Sequence, residues 1–209
     1  MNWARHERAE LADLLAAVGP DAPTLCEGWS TRDLAAHLVL RERRPDAAAG
    51  ILIKPFAAYT ARVQEELAAH SWDELVGQVR SGPPVWSPGA WDPVDEAINT
   101  VEFFVHHEDV RRAATTWEPR PTDIGLEDDL WRRLRFGSRI MARHCPVGLV
   151  LRRAGDGEVQ AKAGDPVVTV TGPASELVLF ASGRQSHARV DVTAPDDVAA
   201  QVRTARLGI

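Results

Sequence analysis

Apolar residues recur at helical spacing through the first two-thirds of the chain, and Gly- or Pro-containing breaks separate the periodic stretches. The spacing predicts helices at about residues 2–18, 31–49, 57–79, 93–116 and 126–144. In the fourth stretch one apolar arc is formed by Val94, Ala97, Ile98, Val101, Phe104 and Val105. This part of the chain is therefore expected to be a bundle of amphipathic helices.

Local signals mark where two of these helices begin. Ser30 has the character of an N-cap, and Asp33 follows at the position that completes a capping box. The run SGPPVWSPGAWDP before the fourth helix is too rich in Pro and Gly for regular structure. Its two tryptophans, Trp86 and Trp91, are expected to fold back over the core and roof a pocket.

The pattern changes after Pro146, where short β-branched stretches replace the helical repeats. Strands are predicted in VGLVLRR, EVQAKA, VVTVTG and HARVDVTA, and helices in ASELVLFASG and DDVAAQVRTARL. We therefore predict an α+β protein, with a helical bundle over residues 1–145 and a small α/β domain over residues 146–209.

Composition is ordinary for a globular protein, with 44% hydrophobic and 26% charged residues among 209. A net charge of −6 gives no reason to expect nucleic acid or an anionic membrane as a partner. The sequence contains no apolar run long enough to span a membrane, and its N-terminal stretch lacks the apolar core of a signal peptide. The two cysteines make no disulfide framework, so a reducing cytoplasm is the expected location.

The most informative chemistry lies in the fourth predicted helix. Glu102 and His106 are four residues apart, which places both side chains on one helical face at the edge of the apolar arc. A carboxylate and an imidazole in this arrangement can hold one divalent metal ion or act as an acid–base pair. The alternative is a solvated salt-bridge face without chemistry.

A third ligand would have to come from another helix, and His37 is the best candidate. It lies beside Leu34 and Leu38 on the second predicted helix, so its side chain is expected to point inward. Two histidines and one carboxylate would leave coordination positions open, as catalytic sites do. Asp109, one turn beyond His106, could orient it. The alternative for His37 is a core histidine that only packs.

Three sequence stretches resemble parts of a known family. TLCEGWSTRDLAAHL and, further along the chain, VEFFVHHEDVRRA resemble the DinB-like helical bundles of the mycothiol-dependent maleylpyruvate isomerase type, found in actinobacteria. The tail GPASELVLFASGRQ resembles the small sterol-carrier-protein-like domain that follows such bundles. The resemblance implies a four-helix bundle with a divalent metal, usually Zn²⁺, held by His37, Glu102 and His106.

The resemblance also implies a function, in which a metal-bound mycothiol thiolate adds to an electrophilic substrate in an isomerase or S-transferase. Arg41 would receive a carboxylate of the thiol or substrate, with Arg111, Arg112 and Arg184 as weaker candidates. Cys26 has no base at a suitable spacing and is expected to be a packed thiol. No other catalytic residue can be named. The alternatives are a metal- or thiol-binding module without turnover, and a structural domain that pairs as a homodimer.

Overall fold

A computed structural model describes residues 1–51 and 53–208, so Leu52 and Ile209 lie outside the described part of the chain. The chain divides into two compact units, Met1–Trp117 and Glu118–Ile209. Among the described residues, none of the helices is both long enough and apolar enough to cross a membrane.

The first unit is helical. Its helices are α1 (Trp3–Val18), α2 (Thr31–Arg43), α3 (Pro45–Ala48), α4 (Ala57–Ala68), α5 (Trp72–Ser81) and α6 (Asp92–Arg111). Helix α1 packs along α6 and α5, and α2 packs against α4 and α5. The core between them is formed by fully buried side chains that include Leu11, Leu15, Leu34, Leu38, Leu75 and Phe103. This core fixes α2 and α6, the two helices that carry the predicted ligands.

The predicted start of α2 is confirmed by its cap. The Ser30 side chain accepts a hydrogen bond from the backbone N–H of Asp33, and the Asp33 carboxylate accepts one from the backbone N–H of Ser30. Both otherwise unpaired N–H groups are thereby satisfied at the first turn. The helix ends at Arg43 rather than at residue 49 as predicted, because Pro45 disfavours helical geometry at Arg44 (φ −124°, ψ 66°).

Two further predictions about the first unit are wrong. The single helix expected at residues 57–79 is broken into α4 and α5, because the Ser71 side chain caps a new helix by accepting from the N–H of Glu74. Trp86 and Trp91 do not roof a pocket, since they are 72% and 68% exposed.

The second unit combines helices with one sheet. Its elements are α7 (Ile124–Met141), β1 (Gly148–Arg153), β2 (Gly157–Lys162), β3 (Val167–Gly172), α8 (Ala174–Ala181), β4 (Asp191–Thr193) and α9 (Asp196–Arg203). The strand order is β2-β1-β3-β4, with β1 and β3 parallel and the outer pairs antiparallel. Every predicted strand is present, and the predicted α+β class is confirmed.

The predicted and the observed divisions of the chain differ in where they place helix α7. Its apolar side packs against α8 and β2, with Leu126, Leu130, Trp131 and Leu134 buried. It therefore belongs to the second unit, although the composition changes only after residue 146. The division predicted at residues 145 and 146 follows composition, whereas the contacts divide the chain between Trp117 and Glu118.

Candidate metal centre

The predicted ligands lie on two helices of the first unit that face each other. His37 is on the buried side of α2, beside the fully buried Leu34 and Leu38, and is 9% exposed. Glu102 and His106 are one turn apart on α6, and His106 is 8% exposed. The helical face that carries core residues also carries these polar groups, so they are held in fixed positions by the packing around them.

Both imidazoles approach the same carboxylate oxygen. Nε2 of His37 lies 3.5 Å from Oε1 of Glu102, and Nε2 of His106 lies 3.2 Å from that atom. The three ligand atoms all lie within 4.8 Å of one another. Ligands about 2.0–2.1 Å from a tetrahedral zinc ion are separated by roughly 3.3 Å. The spacing and the donor types therefore fit a divalent metal.

The other nitrogen of His106 faces a second carboxylate. Nδ1 of His106 lies 2.9 Å from Oδ2 of Asp109, whose side chain is fully buried. In metal sites a carboxylate at this nitrogen holds the proton there and leaves Nε2 to bind the metal. The structure thus brings Asp109 to the position in which the sequence predicted it would orient His106.

Arg41 also reaches this group of residues. Its Nε lies 3.3 Å from Oε1 of Glu102, and its Nη1 donates to Oδ1 of Asn99 at 3.3 Å. Asn99 is itself fixed, because its amide donates to Asp95 at 2.8 Å and to Glu42 at 3.1 Å. The guanidinium is therefore held beside the carboxylate rather than extended into solvent.

Burial and neighbouring groups shift the pKa values of the three predicted ligands in different directions. Burial lowers the pKa of His37 below its ordinary value, despite the hydrogen bond to Glu102. Burial works to raise the pKa of Glu102, but hydrogen bonds from His106 and His37 hold it well below its usual range. Burial likewise opposes the charge on His106, whose hydrogen bonds to Asp109, Cys26 and Glu102 raise its pKa well above the ordinary value. Without metal, a charged His106 thus pairs with an ionised Glu102.

A cleft of about 550 Å³ adjoins the site, and His37 forms part of its wall. The remaining lining is Gly28, Trp29, Asp33, Ile51, Ala57, Thr60, Ala61, Gln64, Glu65 and Ala68. The ring centroids of Trp29 and His37 are 5.0 Å apart. A small molecule in this cleft would therefore lie next to one of the predicted ligands.

Sequence reasoning missed contacts that only the fold creates. Cys26 packs against the core of the first unit, as predicted, and its Sγ also donates to Oδ2 of Asp109 at 3.3 Å and lies 3.8 Å from Nδ1 of His106. Asn99 stands three residues before Glu102, so helical spacing is enough to predict that both lie on the same face of α6. No sequence signal links Trp29 or Cys26 to the site, since both lie in a loop.

The weaker candidates have other partners. Arg111 and Arg112 both pair with Glu108, at 3.1 and 2.5 Å. Arg184 belongs to the second unit and donates to the backbone oxygen of Ser182. These contacts give the three arginines structural roles, and Arg41 is the predicted arginine that contacts Glu102.

Comparison with known proteins gives one family and two structures. The family model described as the mycothiol maleylpyruvate isomerase N-terminal domain matches residues 4–135. The crystal structure of the mycothiol-dependent maleylpyruvate isomerase and that of its histidine-to-alanine mutant resemble the chain with TM-scores of 0.60 and 0.62. Each is 18% identical and covers 91% of this chain and 90% of its own. At this identity the likeness shows a shared fold, and none of the curated proteins matches the chain significantly.

Proposed function

We propose a function from the premise that this chain belongs to the family of the mycothiol maleylpyruvate isomerase N-terminal domain, whose model matches more than half of it. The protein binds a divalent metal, most readily Zn²⁺, and uses mycothiol as a thiol cofactor. It acts on an electrophilic small molecule as an isomerase or S-transferase. The observation that carries the proposal is that His37, Glu102 and His106 converge beside a cleft of about 550 Å³, a size in the range of small-molecule binding sites.

His37, Glu102 and His106 would hold the metal through two imidazole nitrogens and one carboxylate oxygen. This mixed nitrogen and oxygen set suits zinc and leaves a coordination position open. When bound, the metal supplies a positive centre at which a thiol loses its proton near neutral pH.

The protein's own residues supply orientation and charge. Asp109 holds a proton at Nδ1 of His106, which directs Nε2 toward Glu102 and His37. Arg41, fixed by Asn99, keeps a positive charge beside Glu102 and can receive a carboxylate of the thiol or the substrate. Trp29 packs its ring beside that of His37, with the centroids 5.0 Å apart, and would help to hold this imidazole in place.

Cobalt substitution tests this function. Protein loaded with Co²⁺ in place of the native metal is titrated with mycothiol while its visible absorption is recorded. We expect a new thiolate-to-cobalt absorption band and a change in the d–d bands, because the sulfur would take the open position. S-methylated mycothiol, which has no ionisable thiol, is the control. A cobalt spectrum that saturating mycothiol leaves unchanged would contradict the proposal.

A binding module without turnover is the second candidate. It is favoured by the cleft lining, in which His37 is the one imidazole among the described residues and Asp33 is engaged in capping α2. Glu65 is the remaining carboxylate of the described lining, so the cleft offers few candidates for a general acid or base other than the predicted ligands. Conversion of an electrophile by the mycothiol-loaded protein, at a rate proportional to protein concentration, would eliminate this candidate.

A further inference from the structure

We propose that Cys26 is a positioning residue for the candidate metal centre, and that its thiol fixes His106 through Asp109. The inference rests on the proposed function, because the proposed function makes His106 a metal ligand. It assigns no nucleophilic role to the sulfur. Cys26 would act by restraining the carboxylate that holds the imidazole.

Three side chains form a chain of hydrogen bonds that ends at the site. The Cys26 thiol donates to Oδ2 of Asp109 at 3.3 Å, and the same oxygen accepts from Nδ1 of His106 at 2.9 Å. Asp109 is 0% exposed, so solvent does not compete for its carboxylate. A carboxylate oxygen that accepts two such bonds has less freedom to rotate away from the imidazole.

The backbone around Cys26 is also anchored to α6. The N–H of Leu25 donates to the backbone oxygen of Asp109 at 3.1 Å, so the loop contacts this residue through both main chain and side chain. Thr24 stiffens the loop, because its hydroxyl accepts from the N–H of Cys26 at 3.2 Å and donates to the oxygen of Trp29 at 2.9 Å. The sulfur is therefore placed by a folded loop rather than by a flexible segment.

The same loop contacts the second imidazole. Trp29 lies at its other end, with its ring centroid 5.0 Å from that of His37. Cys26 and Trp29 thus approach His106 and His37 from the side of the loop, while Glu102 lies between the two imidazoles. The loop of residues 24–29 supports both histidines, and Cys26 is its link to His106.

A different role for Cys26 can be distinguished. Cys26, His106 and Asp109 also have ligand atoms within 4.8 Å of one another, so they could hold a metal ion themselves. An ion in this position would require Nδ1 of His106 to lose its proton. If the site of His37, Glu102 and His106 were filled as well, the chain would bind two ions rather than one. Metal stoichiometry therefore separates a ligand from a positioning residue.

Paired substitutions test the inference. Zinc affinity is measured by competition with a chromophoric chelator for the wild type, Cys26→Ala and Cys26→Ser. We expect Cys26→Ala to bind zinc roughly tenfold more weakly, at the lower end of the effect of groups that support a ligand, and Cys26→Ser to stay within about twofold, because its hydroxyl can donate to Asp109. Cys145→Ala, a buried thiol of the second unit, is the control and should bind zinc like the wild type.

A second readout uses the metal-free protein. The Nδ1–H proton of His106 should give a slowly exchanging NMR signal in the wild type and in Cys26→Ser, and a faster-exchanging one in Cys26→Ala. Zinc affinity that is unchanged in Cys26→Ala, or that is lower in Cys26→Ser than in Cys26→Ala, would overturn the inference. So would two zinc ions in the wild type and one in Cys26→Ala. If the wild type binds no zinc, the proposed function fails, and the NMR comparison still decides the role of Cys26.

Discussion

His106→Ala is expected to weaken zinc binding more than hundredfold, a larger loss than the roughly 10- to 100-fold effect of removing a group that only supports a ligand. The substitution removes one of three protein ligands and leaves Asp109 without its imidazole partner. The remaining pair, His37 and Glu102, would bind zinc weakly from two helices. Isothermal titration or chelator competition measures the change.

His70→Ala is the matched control for this result. His70, in the turn before α5, and Glu74, in the first turn of α5, also stand four residues apart, with Nδ1 of His70 3.5 Å from Oε1 of Glu74. Their side chains are 38% and 55% exposed, and neither belongs to a group of potential ligands among the described residues. Zinc affinity should stay unchanged in this variant. A His106→Ala protein that binds zinc as tightly as His70→Ala would show that His106 is not a ligand.

Arg8→Met is expected to lower the free energy of unfolding by about 3–5 kcal/mol, the usual cost of removing one partner of a buried ion pair. The guanidinium of Arg8 lies 2.5 Å from Glu42 and 2.7 Å from Asp95, and all three side chains are 5% exposed or less. Methionine keeps an apolar side chain near Phe103, although it removes the guanidinium that lies over the ring of that residue. Most of the loss would come from two carboxylates that stay buried without their cation. Urea unfolding followed by circular dichroism measures it.

Arg80→Met provides the comparison on the surface. Arg80 pairs with Asp13 at 2.5 Å, but these side chains are 46% and 68% exposed. Exposed pairs contribute about 1 kcal/mol or less, because water and salt screen the charges. If Arg8→Met cost no more than Arg80→Met, the buried network of Arg8, Glu42 and Asp95 would not be a source of stability.

The predicted ligands could be found because each depends on local periodicity. Helical spacing alone put Glu102 and His106 on one face of α6, and Leu34 and Leu38 indicated that His37 points inward. Helical spacing does not show that α2 and α6 bring their side chains together, and this part of the prediction came from the family resemblance. The structure brings the ligand atoms of all three residues within 4.8 Å of one another.

What could not be predicted depends on contacts between segments that are distant in sequence. Cys26 and Asp109 are 83 residues apart, and only the folded loop brings the thiol to the carboxylate. The position of α7 was ambiguous for a related reason. An apolar stripe on a helix is buried equally well by other helices or by a sheet, so its pattern does not reveal its partner. Exposure of Trp86 and Trp91 likewise depended on whether another segment would cover them.

The most direct test of the metal centre is elemental analysis of purified, tag-free protein after reconstitution with zinc and removal of the excess. It is best done above pH 7, because a proton on His106, whose pKa is raised, competes with the metal. We predict about one equivalent of zinc per chain. Protein that retains no metal after reconstitution would contradict the account, and His37, Glu102 and His106 would then be a buried hydrogen-bonded cluster.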